Sequence, residues 1–203
     1  DELMILYARQ ILREHPGATF VAEVKCSKNL FEEIERLGGR AVMWKAGHSL
    51  IKAKMKETGA KMAAEMSGHV FFADRYYGFD DAVYAGARLL EICAASGRKV
   101  SEMLSDLPRT SSTPEIRVEC PEEIKFEVVR RAQEYFSREY EAVTIDGVRV
   151  VFDDGWGLVR ASNTQPVLVL RFEADTEERL KEIRLLIENK LDEIIRQVTA
   201  EVE

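Results

Sequence analysis

The chain has 203 residues, with 29 Lys and Arg against 36 Asp and Glu, a net charge of −7 that excludes non-specific nucleic-acid binding, since affinity for a polyanion comes from clustered cations. A composition of 46% hydrophobic and 32% charged residues excludes a disordered or fibrous chain. No apolar run approaches the roughly 20 residues of a spanning helix, and Cys26, Cys93 and Cys120 are scattered without a CxxC pair, so the expectation is a soluble, cytoplasmic protein with no membrane partner, disulfide framework or zinc site.

Apolar periodicity begins at once, with Leu3, Leu6, Tyr7 and Ile11, although residue 1 is Asp; the chain is expected to start inside a larger protein. Leu3 to Arg13 reads as a helix stopped by His15-Pro16-Gly17, and Thr19 to Val24 as a strand ending in Lys25-Cys26. Asn29 is placed to cap a second helix carrying Leu30, Ile34 and Leu37, which Gly38-Gly39 ends before a strand at Ala41 to Trp44. A third helix spans Ser49 to Glu57 and closes at Gly59. Lys61 to Phe72 reads as a strand interrupted by Ser67-Gly68, and Asp80-Asp81 opens a helix that closes near Ser96-Gly97.

This alternation predicts an α/β first domain, residues 1–107, with a sheet covered by helices and substrate at the carboxyl ends of its strands. Two prolines and four hydroxyl residues predict a hinge at 108–114. Beyond it, a strand at Ile116 to Glu119, a helix at Phe126 to Phe136, hairpin turns at Asp146-Gly147, Asp153-Asp154-Gly155 and Ser162 to Pro166, and a terminal helix from Thr176 predict a small α+β domain over 115–203.

Three segments concentrate chemistry. His48, in Trp44-Lys45-Ala46-Gly47-His48-Ser49, falls where a strand hands over to a helix N-terminus, a place suited to phosphate and proton exchange, although position alone favours a plain capping residue. Glu65-Met66-Ser67-Gly68-His69 sets a carboxylate and a hydroxyl at alternate positions, facing one side of an extended chain as needed to grip adjacent sugar hydroxyls; the bland alternative is a solvated bulge. Arg160-Ala161-Ser162-Asn163-Thr164 lies between two apolar strands and offers a bidentate fork with hydroxyl and amide groups for phosphate, against an exposed turn. Of the lysines between Arg40 and Lys61, Lys52, Lys54 and Lys56 read as a solvated helix face, whereas Lys25 and Lys45, each ending a strand, are the better anion ligands. No Asp-rich loop for Mg²⁺, no P-loop and no phosphoryl-carrying nucleophile are found, and Asp80-Asp81 is assigned to the helix start alone.

Gly47-His48-Ser49-Leu50-Ile51-Lys52, Glu65-Met66-Ser67-Gly68-His69-Val70-Phe71-Phe72 and Arg160-Ala161-Ser162-Asn163-Thr164-Gln165-Pro166, in that order, resemble the bacterial phosphomannomutase/phosphoglucomutase branch of the α-D-phosphohexomutases. The resemblance covers the third and fourth of the family's four domains, the fourth being TATA-binding-protein-like. It implies that Glu65 and Ser67 grip the sugar 3- and 4-hydroxyls, with Lys45 nearby, and that Arg160, Ser162, Asn163 and Thr164 hold the non-reacting phosphate. Lys25, His48 and His69 then match active-site positions, the histidines as proton-transfer candidates. It further implies that a phosphoserine in domain one, Mg²⁺ on a loop in domain two and a hexose 1,6-bisphosphate intermediate belong to the full-length isomerase, so that this chain binds no metal or cofactor of its own and is inactive alone. The partners implied are glucose and mannose 1- and 6-phosphates and the missing domains 1 and 2. Ser-Asn-Thr, where glucosamine-phosphate mutases resemble Ser-Gly-Thr, favours those hexoses. A stand-alone phosphosugar-binding or regulatory module is the alternative.

Overall fold

The computed structural model describes residues 1–202, and the chain divides into two compact units after Pro108. In the first, α1 (Glu2–Glu14), β1 (Thr19–Glu23), α2 (Lys28–Arg36), β2 (Arg40–Trp44), α3 (His48–Thr58), β3 (Met62–Ala64), β4 (Val70–Phe72), α4 (Ala82–Ser96) and the short α5 (Val100–Met103) follow in order. The sheet runs β2-β1-β3-β4, with β1 parallel to both neighbours and β4 antiparallel to β3.

Strand alternation sorts the side chains into two layers. Phe20, Ala22, Met62, Ala64 and Phe72 pack with Ile5, Ile11, Leu30, Ile34 and Ile92 of α1, α2 and α4. The residues between them, Val21, Ala63 and Phe71, pack with Ile51 and Met55 of α3. Helices therefore cover both faces, as the alternating pattern predicts, and the carboxyl ends of three parallel strands share one edge. Ordinary terminators define the helices: Gly59 (φ 65°) closes α3 and Gly97 (φ 62°) closes α4, both left-handed positions that glycine takes at least cost.

Two local expectations are corrected. The cap of α2 is Ser27, whose Oγ accepts from Asn29 N; the Asn29 side chain instead donates to the Pro108 carbonyl at 2.9 Å. The stretch Lys61 to Phe72 is two antiparallel strands and no single one. The chain reverses through Glu65 to His69, where Gly68 (φ 99°) permits the turn and Glu65 N donates to His69 O at 2.9 Å.

The second unit contains β5 (Ser111–Ser112), β6 (Ile116–Glu119), α6 (Lys125–Glu139), β7 (Glu141–Val143), β8 (Val148–Phe152), β9 (Gly155–Ala161), β10 (Val167–Ala174) and α7 (Glu177–Val202). Its antiparallel sheet runs β5-β10-β9-β8-β7, with β6 also paired to β10. Val148, Val150, Val159, Leu168, Leu170 and Phe172 pack with Val128, Phe136, Ile187 and Leu191 of α6 and α7, so both helices lie on one face. Part of the segment expected as a hinge is built into this sheet. Ser111 and Ser112 pair with Ala174 and Glu173, and Thr113 exchanges two hydrogen bonds with Phe172, because this extended stretch supplies the donors and acceptors that an edge strand needs. No helix among the described residues is long and apolar enough to cross a membrane.

Both units carry carboxylates whose ionised form folding favours. Hydrogen bonds from Arg75 and then Gln10 hold Glu91 at about 2, and those from Arg130 and Arg131 hold Glu127 at about 2, against an ordinary value of 4.5. A depressed folded value adds stability that is present above 4.5 and lost as pH falls toward 2. The melting temperature followed by circular dichroism is therefore expected to hold above about pH 5.5 and fall steeply below 4.5. A flat profile down to pH 2.5 contradicts these pairings.

Candidate functional site

In the first unit the predicted residues gather where parallel strands end. β2 leads through Lys45-Ala46-Gly47 into α3. Gly47 has φ 137°, outside the range of ordinary residues, and no side chain caps the helix, so His48 is its first residue and no cap. The turn after β3 is tied to this loop, since Gly47 N donates to Glu65 Oε1 at 2.8 Å. Glu65 is buried, and among the described residues its other oxygen accepts nothing, leaving an acceptor beside the strand ends. Ser67 is exposed at the tip of the turn. The two therefore sit on a reversal in which one is covered and one is not, contrary to the shared face expected of an extended chain.

Glu23, the last residue of β1, organises the neighbouring strand ends. It is fully buried, accepts from Met66 N at 2.8 Å, and lies 3.5 Å from Lys25 Nζ. Lys25 is nearly buried, and the carboxylate beside it offsets the cost of covering its charge. Lys45 is exposed and makes no ion pair among the described residues. Lys54 lies 4.0 Å over the Trp44 ring and pairs with Glu57, while Lys52 and Lys56 are exposed, in keeping with a solvated helix face.

His48 and His69 meet across Asp80. His69 Nδ1 is 2.5 Å and His48 Nε2 3.5 Å from the same Asp80 Oδ2, and the two rings stand edge to face with centroids 5.4 Å apart. Phe71, fully buried, packs against the His48 ring with centroids 4.8 Å apart and the planes at 70°. Val70 N donates to Asp80 Oδ1 at 3.3 Å, and Phe71 forms a β-bridge with Asp80. Asp80 thus belongs to the histidines, and the helix start falls to Asp81 alone, which accepts from Tyr84 N. That bond and one from the Tyr76 hydroxyl hold the Asp81 carboxyl below its usual range. Asp80 escaped the sequence reading because either of two adjacent aspartates can cap a helix.

In the second unit Arg160, on β9, is buried and donates from Nε to Asp146 Oδ2 at 2.9 Å. Asp146 lies on the β7–β8 turn, which Gly147 (φ 73°) keeps close: a Cβ there would come within 2.2 Å of the Val159 carbonyl oxygen. Ser162 is buried and its Oγ accepts from Thr164 N and Gln165 N, while Ser162 N donates to Val167 O. The loop is therefore a hydroxyl-braced turn with exposed Asn163 and Thr164 side chains, and two backbone N–H groups expected to face an anion are spent holding it closed.

Domain III of phosphoglucomutase/phosphomannomutase, described as an alpha/beta/alpha domain, matches residues 1–111, and the C-terminal domain of the same proteins, domain IV, matches residues 115–190. The chain belongs to the phosphoglucomutase/phosphomannomutase family. It is 52% identical over 192 residues to the phosphomannomutase/phosphoglucomutase of Pseudomonas aeruginosa, covering 94% of this chain and 42% of that protein. With the phosphoglucomutase of Neisseria gonorrhoeae it shares 49% over 189 residues, 91% of this chain and 40% of the relative. The crystal structure of a family protein from Burkholderia thailandensis superposes with a TM-score of 0.84 at 43% identity, over 98% of this chain and 41% of that one. The chain thus spans about two fifths of the length of these family members and corresponds to their domains III and IV.

Among the described residues, two groups of side chains could share an ion: His48, His69 and Asp80, and Glu14, His15 and Asp74. Mg²⁺ takes oxygen ligands in a near-ideal octahedron, and each group includes imidazole, so neither suits it. Asp74 is moreover engaged by Arg88 at 2.9 Å.

Proposed function

We propose that this chain is the recognition part of a phosphomannomutase/phosphoglucomutase interconverting the 1- and 6-phosphates of glucose and mannose. The observation that carries the reading is the meeting of the Glu65 turn and the His48–His69–Asp80 cluster at one sheet edge, within a chain whose named relatives are mutases. In the first unit, Glu65 accepts from adjacent sugar hydroxyls, Ser67 completes the grip, and Lys25 and Lys45 supply positive charge. A hydroxyl that attacks a phosphoryl group must lose its proton. With Nδ1–H donated to Asp80, His69 offers Nε2 as the acceptor, and Asp80 positions that ring without touching the sugar. His48, beside the same carboxylate, is the second proton-transfer group.

In the second unit, Arg160, Ser162, Asn163 and Thr164 take the phosphate that does not react. A mutase must hold a sugar phosphate in opposite orientations, so a fixed anchor for the spectator end is what positioning demands. The phosphoserine, Mg²⁺ and the bisphosphate turnover are assigned to the rest of the protein. The chain alone is expected to bind phosphosugar without turning it over.

The test is titration with glucose 1-phosphate and glucose 6-phosphate while following the imidazole resonances of His48 and His69, with glucose and inorganic phosphate as controls. Saturable shifts with both phosphosugars are expected. No shift at any attainable concentration overturns the binding, and sustained isomerisation by this chain, given Mg²⁺ and glucose 1,6-bisphosphate, overturns the division of labour.

A further inference from the structure

We infer that His48, His69 and Asp80 form a binding site for a divalent transition ion, Zn²⁺ being the physiological choice, and that its occupation silences the same histidines as proton carriers. One ligand atom from each of His48, His69 and Asp80 lies within 4.8 Å of the others, the residues being brought together from the start of α3, the end of the β3–β4 turn and the loop before α4. Zinc bonds to imidazole nitrogen and carboxylate oxygen are about 2.0–2.2 Å, which for a tetrahedron separates ligand atoms by roughly 3.4 Å. The His48–Asp80 separation of 3.5 Å already matches. The His69–Asp80 separation of 2.5 Å must open by about an ångström, which the half-exposed His69 side chain can supply by turning about its own bonds.

The donor set decides the ion. Two imidazoles and one carboxylate suit Zn²⁺, Co²⁺, Ni²⁺ and Cu²⁺ and offer little to Mg²⁺. The site is also oriented beyond its ligands. Val70 N fixes the second oxygen of Asp80, and Phe71 supports the His48 ring. Exposure of both imidazoles leaves the fourth position to water. By contrast, Glu14, His15 and Asp74 form no comparable site, because Asp74 is covered and bound to Arg88.

Binding is a ligand exchange with a tautomer change. The hydrogen bond from His69 Nδ1 to Asp80 breaks, both atoms bond the ion, and the imidazole proton moves from Nδ1 to Nε2. His69 Nε2, the proton acceptor under the function proposed above, becomes a donor. The inhibitory consequence rests on that reading; the metal site does not.

The test is calorimetric titration of the chain with Zn²⁺, and visible absorption with Co²⁺ as the probe. One equivalent is expected to bind with a tetrahedral cobalt spectrum free of sulfur charge transfer, and millimolar Mg²⁺ is expected not to displace it. His69→Gln and Asp80→Asn are each expected to lose at least about tenfold in affinity, and His15→Gln to lose none. His48→Gln provides a third arm should either of the first two variants fail to fold by circular dichroism. Unchanged affinity in the folded variants, or a thiolate-to-cobalt band assigning the ion to cysteine, overturns the proposal. Because no sugar is present, failure here is separate from failure of the phosphosugar titration.

Discussion

Replacing Arg160 with alanine is expected to weaken glucose 1-phosphate binding by at least about tenfold, the loss of one charge-assisted hydrogen bond worth roughly 1.5–3 kcal/mol. The guanidinium is oriented before any ligand arrives, since Asp146 holds Nε at 2.9 Å on a side chain only 8% exposed. Its two terminal nitrogens engage nothing among the described residues, which is the fork a phosphate needs. Arg160→Lys keeps the charge but not the planar fork, so it should fall between alanine and the natural residue. Calorimetry of the three proteins gives the order. Equal affinities, with the sheet amides of the second unit unperturbed, remove Arg160 from the phosphate site.

Arg88→Ala should destabilise the first unit by about 3–5 kcal/mol, the usual consequence of stranding one member of a buried ion pair. Arg88 is 3% exposed, donates from Nη1 to Asp74 Oδ1 at 2.9 Å and from Nη2 to Gln10 Oε1, with Nη2 also 2.9 Å from Asp74 Oδ2 as an ion pair, and lies 4.7 Å over the Phe72 ring. Burial alone would raise the Asp74 carboxyl, but the hydrogen bond and charge of Arg88 together with backbone hydrogen bonds from Arg75 and Asp74 outweigh it and keep the group below its usual range. Without Arg88 that charge keeps only backbone donors and the more distant Arg75 guanidinium, 3.8 Å away. Hydrogen exchange at β1 and α4 amides under rising urea reads the loss locally. The double variant Arg88→Met with Asp74→Leu is expected to recover much of the stability, because it removes both charges. A change below about 1 kcal/mol in the single variant shows that the pair is not what joins α1, α4 and the loop after β4.

What the sequence disclosed depended on whether a feature was settled by neighbours along the chain. Helices closed by Gly59 and Gly97, and the hairpins at Asp146-Gly147 and Asp153-Asp154, were legible because short-range conformational preference decides them. The three motifs that carried the family resemblance lie at the ends of strands, where loops hold chemistry and the scaffold merely presents it. The reversal after β3 was missed because Gly68 gives freedom without direction; only pairing of Val70, Phe71 and Phe72 with β3 decides it. Glu23 read as an ordinary strand end, and its burial follows from Met66 N and Lys25, which approach from elsewhere in the sequence. The Arg160–Asp146 pair joins residues 14 apart that meet through hairpin register. Ser162 was identified as an anion ligand from its type, but its hydroxyl is first a brace for its own turn.

The hydrogen bond from Gly47 N to Glu65 has a mechanical corollary. It fastens the entry to α3 to the turn after β3, so thermal breathing of that helix carries both along together. The spacing between an imidazole at residue 48 and a carboxylate at residue 65 is thereby preserved while the surrounding backbone fluctuates, and tolerance for a ligand of different girth has to come from side chains at the rim, Ser67 foremost, and not from the two loops drifting apart.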